Sequence, residues 1–119
     1  MTAIQRSGDC GNSPKNAFIQ EIAIALESGV CPENAFADNI QWFRGAAPTL
    51  DGRASVIAAI GSVAAPASIT IEHAISHGKV GAANGEVRLA DGRVRHFSHF
   101  FEFTSAKANL VSLIKSYLA

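Results

Sequence analysis

Apolar residues recur along this chain with two different periods. Between Pro14 and Ser28 the residues Phe18, Ile19, Ile22, Ala25 and Leu26 return at helical spacing, whereas from Ser68 onward apolar and polar positions alternate. The first pattern predicts a helix from about Pro14 to Ser28, with Ser13 as N-cap, proline at the first helical position and Gly29 as the stop. Pro32 to Asp38 reads as a short second helix. Asn39 to Arg44 alternates, with Ile40, Trp42 and Arg44 on one side and Gln41 and Phe43 on the other, which predicts a first strand. After the turn-rich Gly45 to Asp51, the series Val56, Ile57, Ile60 and Val63 predicts a third helix, ended near Ala65-Pro66 because proline cannot continue it.

The alternating half predicts four successive strands: Ile69 to His77, Val80 to Ala90, Arg93 to Thr104 and Leu110 to Leu118. Helices first and an antiparallel meander afterwards is an α+β pattern, with the helices covering one face of the sheet. Asp91-Gly92 is a strong hairpin signal, since both positions of a type I′ turn need positive φ. A two-residue turn there pairs Glu86 with Phe97, Asn84 with His99 and Ala82 with Phe101. A second two-residue turn at Gly78-Lys79 pairs His77 with Val80, Ile75 with Ala82 and His73 with Asn84. Together these registers put Ile69, Ile71, His73, Ile75, Ala82, Asn84, Glu86, Phe97, His99, Phe101 and Phe103 on one face, expected to be the core face.

The polar exceptions on that face, His73, Asn84 and His99, are the candidates for chemistry, because buried polar groups need partners and often shift in pKa. With strands roughly 4.8 Å apart, Asn84 is within reach of either histidine and could hold one imidazole in a chosen tautomer for acid or base work. A satisfied polar layer in the core is the structural alternative. Trp42 and Arg44 share a face of the first strand, where an arginine beside a tryptophan binds a carboxylate or stacks, or else snorkels outward from a core anchor. Arg88, Arg93 and Arg95 at the hairpin tip are taken as a solvated strand end.

Metal chemistry finds little support. His73 and His77 have the spacing of a helical zinc pair, but on a strand that spacing separates them by roughly 13 Å. No glycine-rich phosphate loop precedes a helix, and neither a serine nor Cys10 or Cys31 sits in a catalytic signature. No cofactor or metal is therefore expected.

At 119 residues and 48% hydrophobic content, the chain suits a single domain able to bury its core without disulfides. Ten basic and ten acidic residues cancel, which argues against nucleic acid as a partner. Met1 to Arg6 has neither a basic nor an apolar leader region, and no apolar run reaches the roughly 18 residues of a membrane span, so a soluble, cytoplasmic protein is the expectation. Residues 1–13 lack periodicity and read as a flexible arm ahead of a domain over 14–119.

The order of elements, with Phe36-Ala37-Asp38-Asn39-Ile40-Gln41-Trp42 entering the first strand, Gly52-Arg53 before the third helix, and Phe101-Glu102-Phe103 leading to a last strand ending Ser116-Tyr117, resembles the nuclear transport factor 2-like superfamily. This superfamily includes SnoaL-like cyclases and ketosteroid-isomerase-like proteins. The resemblance covers about residues 14 to 118 and implies a cystatin-like α+β cone, ordered α-α-β-α-β-β-β-β, with a pocket inside and a homodimer formed through the outer sheet face. It also implies a small apolar, cyclic ligand, and lyase or isomerase chemistry by His99 and His73 oriented by Asn84. Trp42, Arg44, Glu86, Phe97, Phe101 and Ile22 would line the ligand. The isomerase branch's own catalytic groups do not carry over: its helix-one tyrosine falls on Ile22, its aspartate base on or near Arg44, and its protonated aspartate near His99. A non-catalytic ligand-binding or dimerising module, using Phe100, Val87 and Ala83 on the outer face, is the competing expectation.

Overall fold

The structure is a computed structural model and describes residues 2–11, 13–105 and 110–119. Met1 and Asn12 of the expected arm lie outside the described residues. Helix α1 runs Pro14–Ser28 and α2 Arg53–Gly61. The strands are β1 (Ala3–Gln5), β2 (Phe36–Arg44), β3 (Ala47–Asp51), β4 (Ser68–His77), β5 (Val80–Arg88), β6 (Val94–Phe103) and β7 (Val111–Leu118). They form one seven-stranded sheet ordered β1-β4-β5-β6-β7-β2-β3. The pairs β1–β4 and β2–β7 are parallel and the others antiparallel, so the sheet is mixed, where a purely antiparallel one was expected.

The boundaries of α1 follow from its ends. Ser13 accepts a hydrogen bond from the Asn16 amide, Pro14 fills the first turn, and Gly29 closes the helix in the left-handed region. Its buried stripe, with Ile19, Ile22, Ala23 and Leu26, packs on β4 and β5, while Val56 and Ile60 hold α2 against β2. Burying such side chains supplies the main force on the fold, at about 25 cal/mol per Å² of apolar surface.

Three elements differ from expectation. The second helix is a single 3-10 turn at Glu33–Ala35, because Phe36 and Ala37 are core residues of β2 and leave too few positions for a helix. The stretch Gly45 to Asp51 contains strand β3; Pro48 is tolerated there because β3 lies at the sheet edge. Within the expected arm, β1 pairs with the opposite edge, Arg6 makes a two-bond contact to Glu21 at 2.8 Å, and Asp9 accepts from the Ala74 amide at 3.2 Å.

The hairpin registers decide which residues face inward. Gly78-Lys79 is a two-residue turn as expected, pairing His77 with Val80 and His73 with Asn84. The second hairpin closes one residue differently. Leu89 pairs with Arg93 around a three-residue loop, with Gly92 at φ 92° as the left-handed residue, so Asn84 faces Ser98 and Ala83 faces His99. A bulge at Glu72 then re-phases β4, because Ile71 pairs with Gly85 while His73 pairs with Asn84. Gly85 permits this close approach: a side chain there would run into the Thr70 carbonyl.

The inner face therefore carries Ile69, Ile71, Ala74, Ala83, Val87, Phe97, His99, Phe101 and Phe103. His73, Ile75, Ala82, Asn84 and Glu86 point the other way, and Val87 and Ala83, expected outside, are core residues. Among the described residues no helix is long and apolar enough to cross a membrane.

Candidate functional site

A cleft of about 650 Å³ opens at the end of the inner face where α1, α2, β2, β6 and β7 converge, and His99 lies at its floor. His99 on β6 pairs directly with Ser116 on β7, which places the two side chains on one face at hydrogen-bonding range. The imidazole is 1% exposed. Its Nδ1 lies 2.7 Å from Ser116 Oγ and its Nε2 lies 2.7 Å from Glu27 Oε2. Trp42 Nε1 donates to Ser116 Oγ at 2.8 Å, and a terminal nitrogen of Arg95 donates to Glu27 Oε1 at 2.8 Å.

These contacts form one chain, Trp42–Ser116–His99–Glu27–Arg95, whose direction follows from its ends. An indole N–H can only donate and an ionised carboxylate can only accept. Ser116, having accepted from Trp42, gives its hydroxyl proton to His99 Nδ1, and the Nε2–H goes to Glu27. Every polar side-chain atom of Trp42, Ser116 and His99 then has a partner, which is what makes such a network tolerable in a core.

Burial raises the Glu27 carboxyl, but the hydrogen bond from His99 and the Arg95 guanidinium outweigh that and hold it below its ordinary value. The acid is thus kept ionised where an isolated buried carboxyl would tend to protonate. Phe97 stacks on the imidazole with centroids 5.1 Å apart, and Phe101 stands 6.2 Å away on the other side. Both exclude water from the ring and fix its plane.

Of the residues expected at the site, His99, Trp42 and Arg44 line the cleft, while Phe97 and Phe101 are buried beside His99. Ile22 is a core residue of α1 outside the cleft lining. The row His73–Asn84–His99 is not formed. His73 has its side chain 70% exposed on the outer face, bonded to Asp9 at 2.9 Å, and Asn84 and Glu86 are half-buried on that same face. The three-residue loop and the bulge account for this, since a one-residue slip moves a whole strand's side chains to the other face.

Glu27, Ser116 and Arg95 lie outside the expected site residues. Glu27 carried a signal, lying eight residues after Ile19 and four after Ala23 and so interrupting the apolar stripe of α1 with a charge. Arg95, expected as a solvated tip, lies two residues before Phe97 and shares the inner face with His99. Among the described residues no group of three or more histidine, cysteine, aspartate or glutamate side chains could hold a metal.

The sequence matches no protein-family model and no curated protein sequence. Solved structures do resemble it. A nuclear transport factor 2-like protein of unknown function from Cytophaga hutchinsonii superposes with a TM-score of 0.68 at 20% identity, covering 88% of this chain and 99% of that one. A candidate ketosteroid isomerase from Kribbella flavida reaches a TM-score of 0.73 at 15% identity, covering 88% of this chain and 77% of its own. A candidate SnoaL-like polyketide cyclase from Jannaschia reaches 0.64 at 10% identity, covering 89% and 88%. At these identities the likeness is one of fold: the chain has the α+β fold of nuclear transport factor 2-like proteins, as its element order suggested.

Proposed function

We propose that the cleft binds a small molecule with an apolar body and that His99 performs acid/base chemistry on it, of the lyase or isomerase type. The observation that carries this reading is the buried chain Trp42–Ser116–His99–Glu27–Arg95 ending in an open cleft. A purely structural polar layer needs no cleft above it. Proton transfer runs through Ser116, whose hydroxyl hands its proton to His99 Nδ1 as it takes one from the ligand. Glu27 then stabilises the imidazolium that results, and Phe97 keeps the ring oriented. Trp42 forms part of the apolar wall and Arg44 anchors an oxygen of the ligand.

The test is a turnover screen of cyclic ketones, β-hydroxy ketones and their acids with three proteins: wild type, His99→Gln and His73→Gln. Any activity found should fall by about a hundredfold or more in His99→Gln and stay unchanged in His73→Gln, the usual scale for a lost acid/base group. Equal rates in wild type and His99→Gln would sink the catalytic role.

A second reading, assembly through the outer sheet face, has its own support. Phe43, Ile75, Val80, Phe100 and Tyr117 are all substantially exposed there, and Phe100 meets Tyr117 edge-on at 6.0 Å. We propose a homodimer through this face, which sedimentation showing only monomer at tens of micromolar would overturn.

A further inference from the structure

The charged side chains lining the cleft are Glu27, Arg44 and Arg95. One negative group thus faces two positive ones. Both Glu27 oxygens are engaged, Oε2 by His99 and Oε1 by Arg95. Glu27 therefore answers the charge of Arg95, and Arg44 is left with a backbone acceptor, the Pro48 carbonyl at 3.0 Å, and a place over the Trp42 ring at 5.7 Å. Neither contact neutralises a cation.

The hydrogen-bond inventory shows the same deficit. A guanidinium carries five N–H donors in a planar fork. The Nε atoms of both Arg44 and Arg95 are shielded from solvent and so closed to a ligand, which leaves the terminal nitrogens; those of Arg44 have, among the described residues, only the Pro48 carbonyl as acceptor. The group that best matches a pair of guanidinium N–H donors is a carboxylate. The remaining lining includes Leu26, Ala59, Val63 and Leu89, which suit hydrocarbon.

We infer that the ligand of this cleft is an apolar monocarboxylic acid, its carboxylate held by Arg44 and Arg95 and its ring or chain laid against Leu26, Ala59, Val63 and Leu89. This rests on the reading of the cleft as a small-molecule site and narrows it. A single negative charge matches the single surplus cation; a phosphate dianion would bring an unbalanced negative charge toward Glu27, which Arg95 already serves. Arg95 has a further consequence. Because one of its terminal nitrogens holds Glu27, a carboxylate drawing on the same guanidinium fixes the Glu27–His99 pair as it binds.

Trp42 is the chain's single tryptophan and lines the cleft, so its fluorescence reports occupancy directly. Cyclohexanecarboxylate, 2-phenylacetate and decanoate would each be titrated against the matching neutral amide at neutral pH, by Trp42 fluorescence and by calorimetry. Each acid should bind at least tenfold more tightly than its amide. Arg44→Gln should erase that preference, Arg95→Gln should reduce it, and Arg88→Gln, on the exposed hairpin end, should leave it intact. The acid-against-amide comparison in wild type needs no variant to fold. Acids and amides binding alike would overturn the carboxylate assignment while leaving an apolar site; failure of all six compounds to bind would remove the cleft reading and this inference together.

Discussion

His99 and His73 stand two strands apart on one sheet, and each meets a carboxylate at nearly the same distance: 2.7 Å to Glu27 and 2.9 Å to Asp9. Their surroundings differ. The first pair is sealed beneath α1 with side chains 1% and 4% exposed, while the second lies on the outer face with His73 70% exposed. Separation alone therefore says little about what a histidine–carboxylate contact does. Burial decides it, by setting the cost of removing one partner.

The largest expected effect follows from that difference. Glu27→Ala leaves Arg95 and His99 without their acceptor in a dry environment and should cost about 3–5 kcal/mol of stability. Asp9→Ala, at a solvated pair, should leave the denaturant midpoint close to wild type. Equal losses in the two variants, measured by urea unfolding, would erase the distinction. The pH profile sharpens it. Because Glu27 is held below its ordinary value of 4.5, its contribution is present above that pH and is lost as pH falls through its folded value. Stability of wild type should drop as pH is lowered below about 4.5, and Glu27→Ala should show a shallower drop over the same range.

The α1 boundaries, the four C-terminal strands and the fold they build were legible because each rests on a local signal: a cap, a stop glycine, or an alternation several residues long. The site was half legible. His99, Trp42 and Arg44 could be found, since more and less buried positions alternate without a break from Ile40 to Arg44 and along β6. The partners Glu27 and Ser116 belong to elements far away in sequence, and only packing brings them to His99. On β5 turn length and strand pattern disagree: a two-residue turn brings Asn84 and Glu86 inward, whereas the strand's own pattern, in which Ala83 and Val87 alternate with Asn84, Glu86 and Arg88, turns them out, and the pattern prevails. The bulge at Glu72 has no local marker in β4 itself; its trace is Gly85 on the neighbouring strand.

That glycine supplies the next test. Gly85→Ala places a methyl group against the Thr70 carbonyl, a backbone atom that cannot rotate away. The bulge or the strand pairing must shift, at about 1–3 kcal/mol, the usual cost of overpacking. Because Ile69 and Ile71 reach the core only through the bulge, the variant should also weaken hydrogen-exchange protection along β4 more than along β6. Uniform loss along both strands would mean that the bulge is not what sets their phase.

The smallest expected effect is the most informative about the two faces. Deleting Ala90 turns the Leu89–Arg93 loop into a two-residue Asp91-Gly92 turn around the same closing pair, so no residue of β5 or β6 needs to change partner. If core packing sets the register, stability should change by about 0.5 kcal/mol or less, as at an ordinary surface site. The histidines report the outcome. The chain has four, of which His73, His77 and His96 are exposed and His99 is buried, so diethyl pyrocarbonate should modify three in wild type and three in the deletion variant. A fourth modification in the variant would mean that His99 had turned outward with its strand. Turn and packing favour the same register in this variant, so that outcome would mean that neither sets it, which is hard to reconcile with about 1.5–3 kcal/mol for each large side chain buried among Phe97, Phe101 and Phe103.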